Sequence, residues 1–404
     1  MEDRSRVAIG GLPDFMEQRL AKFRNFVMTE WGGRHVFRSR PFTPGALVLC
    51  TNDYLSISNS RRIVDAQCAS LREHGAGLMM SSLFNQDPND ALRRVEQTLA
   101  DAIGTAEGVL TQSGYCANIG LMQAIACPGR PVYIDVIAHA SLHAGIRFAG
   151  ATAVLFHHND IGDLRAKISQ NGAGVVVIDS IYSTNGSLAP IRDIVDFARA
   201  HDCLMVVDES HSLGTHGLHG RGLVADLGLA GKVDFVTVSL AKAYCSRAGF
   251  IACPKGFRDY FGFESLPAIF SSSLLPHDIA GIRAAHEVVV SEEWRRDRLH
   301  KLTRHIRCEL ASMDYPVDTD GEQIIALEVG SDLRTAEVRD IFEDHGIFGS
   351  LFTPPATSRG RSLVRLSLHA GLSDCDLDRL LTTLRDLRVA VRLSSWSGVA
   401  RTRH

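Results

Sequence analysis

The sequence predicts an α/β fold: a large domain on a mostly parallel seven-stranded sheet, followed by a small α+β C-terminal domain. Two patterns carry this. Between residues 107 and 253, short β-branched runs alternate with amphipathic stretches of helical period, the rhythm of βαβ units. After a long helical stretch that begins near residue 276, a second and shorter strand–helix rhythm follows.

Taken in order, residues 1–50 read as an irregular arm with one helix over 13–30. Phe15, Leu20, Phe23 and Val27 give that helix a loose apolar stripe. Strands are predicted at 107–111, 131–135, 152–157, 174–179, 203–208, 234–239 and 249–253. The run Val175-Val176-Val177-Ile178 does not alternate, which suits a strand covered on both faces. A helical stretch spans 276–313. Strands at 323–329 and 362–368 then alternate with helices at 335–345 and 373–391. Ser373 with Asp376 resembles a capping box. Leu377, Leu380, Leu381, Leu384 and Leu387 form one apolar face of that last helix. At about 150 residues per domain, the division expected is an arm at 1–50, a large domain at 51–280 and a small one at 281–404, with the connecting helix at its start.

Composition narrows the function. Apolar residues are 45% and charged ones 22%, a globular balance rather than a disordered or coiled-coil one. The 43 basic and 46 acidic residues nearly cancel, so no nucleic-acid partner is expected. The basic tail Arg401-Thr402-Arg403-His404 is too short to hold an anionic membrane. No apolar run is long enough to span a membrane, and Met1-Glu2-Asp3-Arg4 does not open a signal peptide. Nine cysteines without a C-x-x-C pair fit reduced thiols in a cytoplasm rather than a disulfide framework or a paired-cysteine zinc site.

In open parallel sheets, ligands sit beyond the carboxyl ends of the strands. One predicted strand ends in Asp208-Glu209-Ser210-His211, so an acid and a histidine can face one pocket. The next ends in Ser239-Leu240-Ala241-Lys242, one of only six lysines. An apolar setting lowers a lysine's pKa and yields the neutral amine that a Schiff base requires. The alternative is a lysine whose stem packs while its charge reaches water. Ser113, Gly114 and Tyr115 stand where a strand gives way to a helix, a place for a phosphate on free backbone N–H groups. No G-x-G-x-x-G follows a strand, and the glycines of 217–222 lie in the wrong context for a dinucleotide. His139 and His143 are four apart but lack a third metal ligand, so no metal is expected; His139 serves better as an aromatic plate. The pair His157-His158 reads as structural or solvated. A lysine, an upstream carboxylate, a phosphate-binding helix start and a flat histidine together describe a pyridoxal 5′-phosphate site, with Asp208 on the pyridinium nitrogen.

With these residues in view, the chain resembles the α-oxoamine synthases, fold-type I pyridoxal phosphate transferases that join an amino acid to an acyl-CoA. The matching blocks are Asn52-Asp53-Tyr54-Leu55, His139-Ala140-Ser141-Leu142, Ser183 with Ala189-Pro190 after it, Asp208 to Gly214, Ser239 to Lys242, Phe270 to Ser273, and Val364 to Leu368. The resemblance implies that His139 stacks on the cofactor ring, Ser183 lies beside it, and Asp208 binds the ring nitrogen. It implies that His211 reaches the phenolic oxygen, Ser239 the phosphate, and Ser272 the phosphate of a neighbouring subunit. Lys242 would be the Schiff-base lysine, and Arg365, with Asn52, would hold the substrate carboxylate. A homodimer with shared active sites follows from the same resemblance.

Within the family, the runs 179–184, 208–217 and 354–358 look most like the quorum-sensing autoinducer synthases of the CqsA and LqsA type. Leu83-Phe84-Asn85-Gln86 does too, where other members carry an Arg- and Gly-rich loop. After Lys242 the chain reads Ala243-Tyr244-Cys245-Ser246-Arg247 in place of a glycine-rich turn, and Leu372 stands near a position where relatives carry histidine. These departures are expected near the amino-acid pocket and point away from glycine. The activity implied is decarboxylating condensation of a small amino acid, 2-aminobutyrate-like or S-adenosylmethionine, with a medium- or long-chain acyl-CoA. The product would be an α-aminoketone precursor of an α-hydroxyketone signal. The competing readings are a biosynthetic synthase making 8-amino-7-oxononanoate or 2-amino-3-ketobutyrate, and a non-catalytic binding protein that keeps the fold.

Overall fold

A computed structural model of the chain describes residues 11–84, 87 and 90–398. Asn85, Gln86, the first four residues and the tail 401–404 lie outside the described residues. The strands are β1 (Leu47–Val48), β2 (Glu107–Thr111), β3 (Pro131–Asp135), β4 (Thr152–Phe156), β5 (Val175–Asp179), β6 (Leu204–Asp208), β7 (Phe235–Ser239) and β8 (Gly249–Cys253). They continue with β9 (Ile324–Gly330), β10 (Ile347–Phe348), β11 (Ser350–Phe352) and β12 (Ser362–Ser367).

Seven strands form the large sheet in the order β2-β8-β7-β6-β5-β3-β4. The five from β7 to β4 are parallel, and β8 runs antiparallel to both β7 and β2. Every residue of β5 is buried. Val176 and Ile178 join one apolar cluster, and Val175 and Val177 join another. Both faces of the strand are therefore covered, which is why its sequence shows no alternation. A second sheet, β11-β12-β9, is antiparallel. The helix Asp374–Leu387 beside it begins at a full capping box of Ser373 and Asp376, and buries Leu380, Leu381, Leu384 and Leu387.

Three features depart from the sequence pattern. The helix Asp14–Glu30 forms but buries none of its residues; Phe15 is 64% and Phe23 48% exposed. The stretch over 276–313 is two helices, Pro276–Ser291 and Trp294–Ser312. Between them, Glu292 pairs with Arg295 and Glu293 with Arg296, while Arg296 also donates to the carbonyl of Val289. The last carbonyls of the first helix are thereby partly satisfied. Finally, the arm packs on the C-terminal region. β1 pairs in parallel with β10, and Ser367 N–H donates to Leu49 O at 2.7 Å. Trp31 donates to Asp332 at 3.2 Å, and the buried Arg339 donates to the carbonyls of Val36 and Arg38. Among the described residues no helix is long and apolar enough to cross a membrane.

The glycines of 217–222 have a structural use. Gly222 has φ +88°, and a Cβ there would meet the Glu209 carboxylate at 2.1 Å. Glu209 is fully buried, and burial pushes its carboxyl up from 4.5 to about 7. One of its oxygens accepts from Val224 N–H and Ser212 Oγ, while Oε2 has no partner and is free to carry a proton. Between about pH 4.5 and 7 the folded chain then binds one more proton than the unfolded chain, and stability falls as pH rises. The loss is on the order of 3 kcal/mol across that window. Glu209→Gln is expected to flatten this slope. Melting temperatures of parent and variant, measured from about pH 5 to about pH 8, check it; equal drops in both would refute the assignment.

Candidate active site

The parallel strands deliver their last residues to one crevice. Asp208, at the end of β6, is buried. Its Oδ2 accepts from Asn118 Nδ2 at 2.8 Å and its Oδ1 from Ser210 N–H at 2.9 Å. Asn118 also donates to Ser141 Oγ at 2.9 Å, and Ser141 Oγ lies 2.6 Å from His139 Nδ1. The Ser141 N–H donates to the same Nδ1 at 3.3 Å, so Nδ1 accepts and the ring proton of a neutral His139 sits on Nε2. Burial keeps the His139 pKa low. His139 thus caps the helix Ala140–Phe148 and is oriented by a chain of hydrogen bonds that ends on Asp208.

Lys242 follows β7 in a tight turn. Burial lowers its pKa, the nearby Asp208 charge opposes that, and Arg365 adds to it. His211 lies across from it, with Nδ1 2.7 Å from the hydroxyl of the fully buried Tyr54. Burial, then the Lys242 charge, hold His211 well below its ordinary range, so the ring is neutral. Gln323 fixes its backbone by donating to His211 O at 2.7 Å. Asp179, beside Asp208 in the β5–β6 register, accepts only a 3.3 Å bond from His139 N–H. Burial and the like charge of Asp208 raise its pKa well above the carboxylate range.

At the other end of the crevice, Ser113 caps the helix Gly114–Ile125 by accepting from Cys116 N–H. The first-turn N–H groups of such a helix are left for an anion. Gly114 is required there: a Cβ would stand 2.5 Å from Ser239 Cβ. Gln112 donates to Ser272 O at 2.7 Å, bringing that segment to the helix start.

Arg365, in β12, is buried. It donates to Ser183 O at 2.8 Å and Asn52 Oδ1 at 2.9 Å, and lies over the Phe352 ring at 4.7 Å. Its Nε is buried without a partner, and among the described residues no carboxylate pairs with it. A buried guanidinium left in this state is costly unless an anion completes it.

The residues fit pyridoxal 5′-phosphate. A phosphate suits the helix start that only glycine permits, and Asp208 suits a ring nitrogen. The buried Thr237 Oγ1, on the strand residue paired with Asp208, lacks a partner of its own.

Comparison with known proteins agrees. The family described as aminotransferase class I and II matches residues 44–384. The chain belongs to this family.

Among curated relatives, the CAI-1 autoinducer synthase of Vibrio campbellii is 42% identical over 93% of this chain and 95% of its own length. The 8-amino-7-oxononanoate synthase of Mycolicibacterium gilvum is 34% identical over 88% and 93%. Among solved structures, serine palmitoyltransferase of S. paucimobilis, with bound PLP and myriocin, superposes with a TM-score of 0.86 at 26% identity, covering 94% of this chain and all of that one. The class I and II aminotransferase fold here is that of a pyridoxal phosphate-dependent α-oxoamine synthase, an acyl-transferring enzyme.

In this family member the crevice brings together Lys242, Asp208, His139, His211, Ser239, Asn52 and Arg365. Ser183 enters through its carbonyl, and Ser272 through its carbonyl while its side chain is exposed. Tyr115 follows the cradle but is half exposed. Leu372 has its side chain buried in the core, and its carbonyl accepts from Arg298. His157 is exposed beside Asp163, whereas His158 bridges Asp135 and Ser187. The sequence reading assigned no role to Asn118, Ser141 or Tyr54. Asn118 lies one helical turn after Gly114, and Tyr54 lies within the Asn52 block, so both positions carried a signal.

Proposed function

We propose that the enzyme condenses a small α-amino acid with a medium- or long-chain acyl-CoA, releasing CoA and CO₂ and yielding an α-aminoketone. The observation that carries this is the unpaired, buried Arg365 beside Asn52, facing the same crevice as Lys242 and Asp208. It is a receptor for one carboxylate, which an amino acid supplies.

The residues divide the work. Arg365 and Asn52 bind the carboxylate and orient the α-carbon. Lys242, whose pKa burial lowers, takes the α-proton. Asp208 holds a proton on the ring nitrogen, with Asn118 and Ser210 fixing the carboxylate that does so. His139 supports the ring face, and His211, fixed by Tyr54 and Gln323, addresses the phenolic oxygen. The N–H groups at Gly114 and Tyr115 hold the phosphate together with Ser239, and Ser183 lies at the substrate side. Bound pyridoxal 5′-phosphate supplies the electron sink for negative charge at the α-carbon.

The likeness to the CAI-1 autoinducer synthase, 42% against 34% for the oxononanoate synthase, favours an amino donor such as 2-aminobutyrate or S-adenosylmethionine. The product then precedes an α-hydroxyketone autoinducer. The same reading makes the protein a cytoplasmic homodimer. Leu78, Met79, Phe84, Phe263 and Phe270 are each at least 64% exposed. Ser273 N–H bonds Met80 O and Ser81 bonds Ala268 O, so this apolar face adjoins the phosphate end, where a second copy would cover it and engage Ser272.

A mass-spectrometric product screen tests the proposal, using glycine, alanine, serine, 2-aminobutyrate and S-adenosylmethionine against acyl-CoAs of graded length. Aminoketones from the last two donors with medium or long chains are expected. Turnover confined to glycine or alanine would instead support a biosynthetic synthase.

A further inference from the structure

Away from the synthase crevice, three segments meet around a cluster of metal-ligating side chains. His216 lies in the turn after β6, His300 on the helix Trp294–Ser312, and Glu322 two residues before β9. Ligand atoms of the three lie within 4.8 Å of one another. His216 Nε2 is 3.0 Å from Glu322 Oε2, and the two imidazoles meet edge to face at 4.8 Å. His216 is buried, while His300 and Glu322 are half-buried and within reach of solvent.

The hydrogen bonds around the cluster leave lone pairs turned toward one another. Thr215 Oγ1 lies 3.0 and 3.1 Å from the carbonyls of His211 and Ser212. Carbonyls only accept, so the hydroxyl proton goes to one of them. The hydroxyl lone pair then accepts from His216 Nδ1–H at 2.9 Å. That assigns the lone pair of a neutral His216 to Nε2, opposite a carboxylate oxygen that also only accepts. His300 Nε2 must donate to Thr215 O at 2.8 Å, which in the neutral tautomer leaves a lone pair on Nδ1. A cation placed between them would satisfy these acceptors together.

We propose that His216, His300 and Glu322 bind a divalent transition-metal ion of the zinc class. Two neutral imidazoles and one carboxylate are an open catalytic-type donor set for zinc. Each ring nitrogen not used for the metal is already held by Thr215, through its hydroxyl in one case and its carbonyl in the other, as outer partners of metal-bound histidines are. Tetrahedral ligands stand about 3.3 Å apart; the 3.0 Å pair already meets this, and the widest separation must close by roughly 1.5 Å. A proton alone would account for the His216–Glu322 pair but leaves the second ring nitrogen of His300 unused. Arg307, whose charge acts on Glu322, spends its guanidinium on the carbonyls of Asp318, Glu322 and Ile324. The ion would tie the turn that carries His211 to the lead-in of β9, where Gln323 already bonds His211 O.

The test uses holoenzyme stripped with a chelator and titrated with Zn²⁺ and, separately, Co²⁺. One equivalent of zinc per chain is expected, raising the melting temperature. In His300→Ala and Glu322→Gln, neither of which touches the synthase crevice, affinity should fall at least tenfold while melting in chelator stays near the parent's. Equal zinc binding by parent and variants, as scattered cysteines would give, overturns the proposal, and so does no binding at all. The cobalt spectrum of the parent decides independently of variant folding. Ligand-field absorption without thiolate charge transfer supports the site, and thiolate bands or no spectrum reject it.

Discussion

Replacing Lys242 by alanine is expected to abolish turnover, a fall of roughly 10⁴-fold or more, since one group supplies both the covalent anchor and the base. The fold should survive. The turn at 240–248 is closed by backbone bonds, Cys245 N–H to Lys242 O and Leu240 N–H to Ala248 O, and needs no ammonium. The side chain is destabilised where it stands, because burial lowers its pKa; removing it costs little stability. Two readings check this together: turnover with the best substrate pair, and the visible absorbance of the bound cofactor, which borohydride abolishes in the parent. A variant that kept either the parental rate or that absorbance would remove Lys242 from its role.

Asp208→Asn is expected to lower the rate by roughly 10³-fold, the scale seen when one preorganised electrostatic partner is lost. The substitution is isosteric, but its chemistry conflicts with its neighbours. Asn118 Nδ2 and Ser210 N–H both donate to the present carboxylate. An amide offers one accepting oxygen, so its own N–H₂ must face a donor or turn toward the ring nitrogen, which then loses its proton. The step affected is removal of the α-proton. Solvent-deuterium exchange into the amino substrate, followed by NMR without acyl-CoA, isolates it. Parental exchange in this variant, with cofactor retained, would leave Asp208 a merely structural acid.

The large sheet was legible because each strand carries a short apolar run ended by polar residues, and β5 shows why alternation was absent. The chemistry at strand ends was equally legible, since Asp208 closes a buried strand and Lys242 stands three residues after the end of the next. Partner identity was not. Asn118 reaches Asp208 across 90 positions, and Tyr54 reaches His211 across 157; no local periodicity encodes such pairs. The break at Glu292 was hidden because apolar residues continue on both sides, and only the carbonyl of Val289, met by Arg296, marks it. The helix Asp14–Glu30 was found while its burial was not, because an apolar stripe states what a face could cover and not whether a neighbour is there.

The pairing of β1 with β10 has a consequence for how the protein is made. Leu47 and Leu49 donate their N–H groups to Gly346 and Phe348, which a ribosome synthesises some 300 residues later. At about 5–20 residues per second, that is roughly 15–60 s during which the emerging strand has no native neighbour. The nascent chain must keep that edge from aggregating, by a chaperone or by delay, until translation is nearly finished.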